Sequence, residues 1–572
     1  MYKNSKHTII FPLVLAVGIV LGILLGQFVG RNKAETQLRT LISRTGLTSP
    51  NKLMQTCMLV ENKFVDSISM DSLTELVIPL MMKELDPHSE YIPARDMQAM
   101  NESLEGEFDG IGVTFNALTD TVIVLSVIPN GPSAKAGIVA GDRIIEVNDT
   151  LVAGVKMSQD AIVKRLRGRR GTEVKLSLKR HGIDELVDIN VVRDAIPIKS
   201  VESAFIVRDD IGFIRLSQFA RTSYEEILRA MFSLRQQGMK RLIFDLRGNS
   251  GGFMDQAILI ANEFLSAGQL IVYTEDRNGK QVKQFTDGKG GSTDIALVVL
   301  IDEDSASSSE ILAGAVQDND RGTIVGRRSF GKGLVQNILP MAYNTQMKVT
   351  VSKYYIPSKR CIQEIDYSKK AKNDTLAKND TLGPQFKTAN GRIVYEGHGI
   401  QPDVKIEPEL LSTITAHLYA QNMIFKYANK FYREHKSIAA PEEFVITDEI
   451  YDDFVKFVES QDFKYTSESE KDFEELVKTA KSEGYYDNVK EHLDILENEL
   501  KNHKDNDLIN NRKEIAEILK MEIVGRYYFQ KGKIISTLKD DVELKRAVEI
   551  LLNSNGKNEY ETLLQLTISN AQ

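Results

Sequence analysis

The sequence contains few cysteines, and they are far apart. Cys57 and Cys361 are the only two in 572 residues, so the chain has no disulfide framework and no cysteine-based metal motif. A single bridge between them in an oxidising compartment is left open. Histidine is also scarce, and none lies between His181 and His398. If a catalytic nucleophile and its base both lie in that interval, the base is therefore a residue other than histidine.

A large excess of one charge is missing as well. The net charge is only −8, with 27% charged and 42% hydrophobic residues, which is ordinary for globular protein. A nucleic-acid-binding protein would need basic patches for its affinity, so this balance argues against nucleic acid as a partner. The length exceeds what one hydrophobic core supports, and three or four domains are expected.

One long stretch near the N-terminus lacks charge altogether. Residues 9–30 (IIFPLVLAVGIVLGILLGQFVG) follow Lys3 and Lys6. About 20 apolar residues can span a bilayer, whereas a cleaved signal peptide has a shorter apolar core and a small-residue cleavage site. The stretch predicts an uncleaved transmembrane anchor, so that residues 1–34 form a cytoplasmic stub and the anchor. Basic residues flank it almost equally on both sides, which leaves its orientation open.

The stretch from 301 to 336 combines a strand end, a small-residue turn and a helix. An apolar run at 295–301 is typical of a buried strand, and the apolar periodicity of a helix begins at Glu310. A serine on such a turn lies near the free amides of the first helical turn, which favour negative charge. A serine hydroxyl also needs a base, and Lys332, between two glycines, is the nearby candidate. The pattern alone equally fits a serine-rich turn with a surface lysine.

This stretch resembles the signature of the C-terminal processing peptidases, also called tail-specific proteases, which use a serine–lysine dyad. The family motifs S/T-A-S-A-S-E and F-G-K-G-x-x-Q match 305–310 and 330–336. The resemblance implies that Ser307 is the nucleophile, Lys332 the base and Gln336 the residue that orients the lysine. Ser308 stands where the family usually has alanine, but only its backbone N–H is needed. No metal and no cofactor are implied.

A second motif, LIFDLRGNSGG at 242–252, is an apolar strand followed by a glycine-rich turn. It matches the family pattern D-L-R-x-N-x-G-G. The resemblance implies that the amides of Gly252 and Ser308 form an oxyanion hole, a device worth about 10²–10³ in rate per donor. The three polar residues Asp245, Arg247 and Asn249 are expected to brace the site by hydrogen bonds.

Residues 106–194 resemble a PDZ domain. GIGVTF at 110–115 is similar to the carboxylate-binding loop of such domains, and GIVAGDRIIEVNDT at 137–150 is similar to their second conserved segment. A substrate tail is expected to add as a strand while the loop binds its carboxylate. The residues expected to contact it are Gly110, Ile111, Gly112 and Val113.

Basic residues cluster after the predicted PDZ helix. Arg167 matches the arginine of the family's L-R-G-x-x-G-T, and this predicts a link from the PDZ domain to the catalytic domain when a tail is bound. A solvated basic face is the alternative. Two histidines in other family motifs, His88 and His398, are interpreted as structural.

The remaining regions complete the predicted fold. Residues 35–105 show helical periodicity, strand-like and helical stretches alternate over 195–405, and 406–572 is charged and helix-patterned. In the last region Val489, Leu493, Leu496 and Leu500 have the spacing of one packed helix face. We therefore expect a multidomain α/β protein with an N-terminal transmembrane anchor, a helical N-terminal region, a PDZ domain, an α/β serine peptidase core and a helical C-terminal domain.

The predicted function is that of a serine endopeptidase that recognises protein C-terminal tails and cleaves with a Ser–Lys dyad. A non-catalytic PDZ adaptor that presents tails to another protease is the alternative, and a scaffold acting through its C-terminal helices is a third interpretation. The expected partners are substrates with free C-termini and the membrane, and a homodimer or adaptor contact through 406–572 is left open. The expected location is the bacterial cell envelope, anchored in the inner membrane with the catalytic part in the periplasm.

Overall fold

The computed structural model describes residues 52–97, 106–116, 122–128, 130–180, 182–367, 383–408, 411–552 and 559–565. Two compact units divide the chain, 1–84 and 85–572. The described part of the first unit contains two helices, α1 (Lys52–Lys63) and α2 (Met70–Lys83). The side chain of Ser69 caps α2 by accepting a hydrogen bond from the amide of Ser72.

The predicted fold class needs one correction, because it included a transmembrane anchor. Among the residues that the structure describes, no helix is both long enough and apolar enough to cross a membrane. The longest helices of the C-terminal region, Tyr486–Asp505 and Arg512–Thr537, carry charged residues along their whole length. The stretch 9–30, on which the anchor was predicted, lies outside the described residues. Without the anchor, the predicted fold class is multidomain α/β with a PDZ domain, a peptidase core and a helical C-terminal domain.

The predicted PDZ domain contains a six-stranded antiparallel sheet, which is covered by the helix Gln159–Leu166. Its strands have the order β3-β4-β5-β7-β8, and β6 pairs with β5. The covering helix buries Ile162 and Leu166 against this sheet. The elements are β2 (Glu107–Gly110), β3 (Val113–Asn116), β4 (Val122–Val127), α3 (Pro132–Lys135), β5 (Arg143–Val147), β6 (Thr150–Leu151), α4 (Gln159–Leu166), β7 (Glu173–Lys179), β8 (Leu186–Val192) and β9 (Asp194–Pro197).

The peptidase core is built on a six-stranded sheet of order β10-β11-β12-β15-β16-β21. Its first pair is antiparallel and the others are parallel, so β12 and β15 end at the same edge. The interleaved strands and helices predicted for this region are confirmed. The elements are β10 (Val201–Arg208), β11 (Ile211–Leu216), α5 (Ser223–Gln236), β12 (Arg241–Asp245), α6 (Met254–Phe264), β15 (Ala296–Ile301), α7 (Ser308–Asp318), β16 (Thr323–Gly326) and β21 (Val404–Lys405).

A second sheet, of order β1-β18-β13-β14 with β17 paired to β18, lies beside the first. Through the antiparallel pair β1–β18 it brings the segment around residue 90 onto the peptidase core. Its elements are β1 (Glu90–Ile92), β13 (Leu270–Asp276), β14 (Gln281–Phe285), β17 (Leu334–Pro340) and β18 (Gln346–Tyr355), and a separate hairpin is formed by β19 (Gln385–Lys387) and β20 (Ile393–Tyr395).

The C-terminal region is helical, as predicted, and it has a core of its own. The predicted helix face over 489–500 is only partly packed, since Leu493 is 8% exposed but Leu496 is 43% exposed. The helices are α8 (Thr413–Ala420), α9 (Met423–Glu434), α10 (Asp448–Ser460), α11 (Glu468–Glu483), α12 (Tyr486–Asp505), α13 (Asp507–Asn510), α14 (Arg512–Thr537), α15 (Val542–Leu552) and α16 (Glu559–Gln565).

One face of the six-stranded sheet is covered by the end of this C-terminal region. The apolar side chains of α15 pack on β12, β15 and β16. Just before that helix, Asp541 accepts a hydrogen bond of 2.8 Å from Arg247, which follows β12. The apolar residues that form this contact, which we call the C-terminal cover, are Ile534, Leu544, Ala547, Val548, Ile550 and Leu551.

The C-terminal cover should therefore contribute to the stability of the peptidase core. Leu544→Ala removes a side chain that is 1% exposed, and such a deletion costs about 2–5 kcal/mol in the free energy of unfolding. We expect faster amide hydrogen exchange in β12 and β15, measured by mass spectrometry. Leu496→Ala, at an exposed position of α12, is the matched control. Unchanged exchange in both strands of the Leu544→Ala variant would contradict this role.

Candidate active site

Ser307 lies on the turn that joins β15 to α7. Its backbone has φ 53° and ψ −111°. Residues with a Cβ rarely adopt this conformation, and such strained conformations cluster at functional sites. The neighbouring serines hold the turn in place: Ser305 donates to the carbonyl of Leu246 at 2.9 Å, and Ser309 donates to the carbonyl of Asn249 at 2.8 Å. The strained turn is thus fixed against the segment after β12.

That segment approaches Ser307 so closely that only glycine fits. A Cβ on Gly251 would lie 2.7 Å from the carbonyl oxygen of Ala306, and one on Gly252 would lie 2.2 Å from that of Phe219. Asn249 accepts from the amide of Gly251 at 2.9 Å and donates to the carbonyl of Leu216 at 2.8 Å. The close approach brings the amide-bearing loop beside the serine.

The other two polar residues of the same motif also brace it, as predicted. Arg247 forms two hydrogen bonds of 2.9 Å with the carboxylate of Asp245, which is fully buried. Burial opposes the charge of Arg247, but the carboxylates of Asp245 and Asp541 raise the pKa of Arg247 well above its usual value. This arginine therefore stays charged and ties the strand end to the C-terminal region.

The two predicted oxyanion donors face the same place. The Oγ of Ser308 donates to the carbonyl of Gly252 at 2.9 Å, so the two residues are in contact. Neither the amide of Gly252 nor that of Ser308 donates a hydrogen bond to another residue in the described part of the chain. Both N–H groups thus lack an acceptor within the described part of the chain.

Lys332 follows a loop that a buried carboxylate organises. Glu310, in the first turn of α7, accepts hydrogen bonds from the amides of Ser307, Gly331 and Lys332 and from the hydroxyl of Ser329, at 2.6–3.0 Å. One side chain therefore fixes the predicted nucleophile and the predicted base to each other. Glu310 was missed as a site residue; its position three residues after Ser307, as in a capping box, is the signal that could have found it.

The environment of Lys332 favours the neutral amine. Burial and then the ammonium group of Lys348 lower the pKa of Lys332 below its usual value, against the opposing pull of Asp86 and Glu310. Burial also raises the pKa of Glu310 to about 7, although its four hydrogen bonds favour the ionised form. Below that pH an added proton on Glu310 would displace one of the donors that it holds.

Tyr354 connects the two loops a second time. Its hydroxyl lies 2.6 Å from the carbonyl oxygen of Lys332 and 3.2 Å from that of Ser307. The ring is almost completely buried, and burial raises the pKa of the phenol well above its usual value. The hydroxyl therefore remains protonated, and a donor, at neutral pH.

Gln336 lies in the same cavity but binds a different partner from the one predicted. Its Nε2 donates to Thr350 at 3.1 Å, and no hydrogen bond joins it to Lys332 among the described residues. The amide of Thr350 donates to Ser89, whose hydroxyl donates to Asp86 at 2.9 Å. The segment at 86–89, which contains His88, thus bonds Thr350 on β18, the strand that pairs with the strand of Gln336.

These residues line one cavity of about 440 Å³, which contains Ser307, Lys332, Gln336, Gly252, Lys348 and Tyr354. Ser307 and Lys332 are not hydrogen-bonded to each other in the described structure. The arrangement still combines a strained serine, a lysine with a lowered pKa and two free amides, which are the groups that acyl transfer requires.

The predicted carboxylate-binding loop, residues 110–113, leads from β2 into β3, the edge strand of the sheet β3-β4-β5-β7-β8. Gly110 ends β2, Val113 begins β3, and Ile111 is buried between them. Gly112 has φ 72°, and a Cβ there would lie 3.0 Å from Ile196. The guanidinium of Arg167 stacks over the ring of Phe108 in β2, 4.5 Å from its centroid, so its observed contact lies within this part of the chain.

Comparison with known families divides the chain in the same way. Residues 210–369 match the family described as Peptidase family S41. Residues 110–191 match the PDZ domain, and residues 414–551 match the family described as Probable PDZ-protease, C-terminal helical domain.

Full-length relatives extend this similarity. The Carboxy-terminal-processing protease of Bartonella bacilliformis is 38% identical over 311 residues, which are 54% of this chain and 70% of the relative. The Probable CtpA-like serine protease of Staphylococcus epidermidis is 32% identical over 369 residues, 62% of this chain and 72% of the relative. A solved structure of a photosystem II D1 C-terminal processing protease is 25% identical and covers 63% of this chain and 93% of its own, with a TM-score of 0.34. That TM-score is low, so family membership depends on the sequence relatives.

The bridge made by Tyr354 should position the site. Tyr354→Phe removes one buried hydroxyl and leaves two carbonyl oxygens without their donor, a change of about 1–3 kcal/mol. We expect kcat for peptide hydrolysis to fall by roughly ten- to a hundredfold, with KM much less affected. Tyr355→Phe, the next residue on the same strand, is the control. Equal kcat values for the two variants would show that the hydroxyl does not position the loops.

Proposed function

Because the chain belongs to the carboxy-terminal-processing proteases of peptidase family S41, we propose that Ser307 and Lys332 are the catalytic dyad of an endopeptidase that selects substrate tails. The chain is a serine-type peptidase with a PDZ domain, and the findings support neither a non-catalytic adaptor nor a scaffold. One cavity carries the proposal: it contains Ser307, a lysine with a lowered pKa and Gly252, whose amide has no acceptor within the described part of the chain.

In the proposed mechanism neutral Lys332 takes the proton of Ser307 Oγ as that oxygen attacks the scissile carbonyl. The carbonyl oxygen becomes negative and accepts hydrogen bonds from the amides of Gly252 and Ser308. Lys332 then gives the proton to the leaving amine, and water hydrolyses the acyl-enzyme with Lys332 again as base. The side chain of Gln336 donates to Thr350. We propose that it exchanges this partner for Lys332 when substrate binds, and that it then orients the lysine.

Tail selection is proposed for the loop at 110–113. Because β3 is the edge strand of its sheet, an extended peptide can pair with it while its carboxylate meets the amides of the loop. Arg167 remains the residue that is proposed to link the PDZ domain to the peptidase core when a tail is bound. A location outside the cytoplasm, and a homodimer or adaptor contact through the C-terminal helices, are proposals supported only by the family resemblance and by the helical pattern.

Cleavage of an unfolded protein with a free apolar C-terminus tests both parts of this function. Ser307→Ala and Lys332→Ala should each lower kcat by about 10⁴-fold or more, and the double variant should be no worse than either. Amidation of the substrate tail removes a charge-assisted hydrogen bond worth about 1.5–3 kcal/mol, so cleavage at low substrate concentration should fall roughly ten- to a hundredfold. Products are measured by mass spectrometry.

Lys289→Ala, with a side chain that is 84% exposed, is the control for loss of a lysine. Normal turnover by folded Lys332→Ala enzyme would disprove the dyad. Equal cleavage of free and amidated tails would disprove tail selection and leave the dyad intact.

The pH dependence of kcat tests the state of the base. If Lys332 must be neutral, the rate rises as pH increases through its lowered pKa. Lys348→Met removes a positive charge that disfavours protonated Lys332, so the pKa of Lys332 rises. The rising limb of the curve of kcat against pH therefore moves to higher pH. Lys353→Met, on the same strand, should leave the limb in place. A limb that does not move in Lys348→Met, and that is lost on mutation of His88, would indicate a histidine base instead.

A further inference from the structure

A second cavity lies between the PDZ domain and the C-terminal helices. Its volume is about 470 Å³, within the roughly 300–1,000 Å³ typical of small-molecule sites. One wall is the sheet of the PDZ domain, and the other consists of α9 and α14. It shares no lining residue with the cavity that contains Ser307, so the catalytic site does not account for it.

The wall formed by the PDZ sheet is apolar on the side that normally faces solvent. In β4, Val122 and Val124 are each 1% exposed and belong to the core of the domain. The alternate residues Ile123 and Leu125 therefore point to the opposite face, where they line the cavity. On the facing helices Tyr432 and Phe529 complete the apolar part.

Phe529 is held in an unusual conformation within α14. Its φ of 56° and ψ of −157° interrupt the helix, a costly backbone for a bulky residue. Its side chain is also 56% exposed, so burial of the ring does not explain the interruption. A bound apolar group would provide the contact that the ring lacks.

The charged residues of the lining are all basic. Arg143 comes from the PDZ domain, Arg433 from α9, and Arg526 and Lys533 from α14, whereas no aspartate or glutamate lines the cavity. This is unexpected in a chain with a net charge of −8. A cavity lined by one sign of charge concentrates ions of the other sign.

Arg526 points to the ligand most directly, because it is buried and incompletely paired. Its side chain is 7% exposed. Nε donates to Asn429 at 2.8 Å, Nη1 donates to Glu522 at 3.0 Å, and the guanidinium lies 4.5 Å from the centroid of the Phe425 ring. Nη2 is buried and has no partner. A rigidly held donor without an acceptor is costly, and the residue that carries it lines a cavity with no acidic lining residue.

The charge of this end of the cavity matches a monoanion. Glu522 bonds Arg526 with one oxygen and Lys533 with the other, at 3.0 and 2.6 Å. Two cations thus share one carboxylate, which leaves a single positive charge beside Nη2. A carboxylate neutralises the excess charge of the group formed by Arg526, Lys533 and Glu522.

We propose that this cavity binds a small amphipathic carboxylate. One carboxylate oxygen accepts a hydrogen bond from Nη2 of Arg526, and the apolar body packs between Ile123 and Leu125 on one side and Tyr432 and Phe529 on the other. Such a ligand contacts both domains, so its binding energy favours the arrangement in which the PDZ domain rests against the C-terminal helices.

Titration calorimetry on the full chain, with decanoate as the probe, tests the head group and the body separately. Decanoate should bind saturably at one site. Decanol, which lacks the charge, and acetate, which lacks the apolar body, should each bind at least tenfold more weakly, and decyl phosphate should bind no more tightly than decanoate. Equal affinity for decanol and decanoate would overturn the proposal. A free-tail peptide that displaces decanoate would show that the cavity takes chain ends instead.

Two variants locate the binding. Leu125→Glu places a negative charge on the sheet wall without touching Arg526, and Arg526→Met removes the donor while it keeps an apolar stem on Phe425. Each should weaken decanoate at least tenfold. The matched controls are Leu186→Glu, at another exposed position of the PDZ sheet, and Arg277→Met, at an exposed turn. If Arg526→Met does not fold, Leu125→Glu decides alone, and wild-type affinity in that variant would overturn the assignment.

Discussion

The carboxylate of Glu310 is the constraint on which the candidate site depends. It is fully buried, and its two oxygens accept hydrogen bonds from the serine turn and from the lysine loop, which are more than 20 residues apart in sequence. Without this side chain those backbone amides would be buried donors with no acceptor, each costing about 1–3 kcal/mol. The strained conformation of Ser307 is maintained because its own amide is one of the four donors. The geometry of the candidate site therefore depends on hydrogen bonds around one acid, rather than on direct contacts between Ser307 and Lys332.

The candidate site also depends on the C-terminal region, a distant part of the chain. The six-stranded sheet is covered on one face by its own helices and on the other by the C-terminal cover, so the peptidase core is not complete without the last helices. Arg247 extends this connection into the site: it binds Asp245 at the end of β12 and Asp541 just before α15. The turn that carries Gly251 and Gly252 starts immediately after this arginine. An ion pair across almost 300 residues thus fixes the position of the amides that are proposed to stabilise the oxyanion.

Local pattern predicted much of this structure. The strands that end at the site were predicted within about two residues, because continuous apolar runs bounded by glycine-rich turns are specific signals. Ser307, Lys332, Gln336, Gly252 and Ser308 were predicted from motifs, and they do line or border one cavity. The contacts that were missed connect residues far apart in sequence: Glu310 with the loop at 329–332, Tyr354 with both loops, and the segment at 86–89 with Thr350 on β18. No periodicity encodes such pairs. The packing of α15 on the sheet was missed for the same reason, since an amphipathic helix does not specify its partner.

The same contacts explain how the site can hold two carboxylates near a lysine whose pKa is lowered. Asp86 and Glu310 both favour the protonated form of Lys332, and direct ion pairs with them would raise its pKa. Their oxygens are instead occupied by amides and hydroxyls: Asp86 accepts from the amides of His88 and Ser89 and from the Ser89 hydroxyl, and Glu310 accepts its four donors. Their negative charge is spread over neutral donors rather than placed on the ammonium group. Burial and Lys348 then outweigh the remaining attraction, and the pKa of Lys332 falls while both acids still hold the loops that position it.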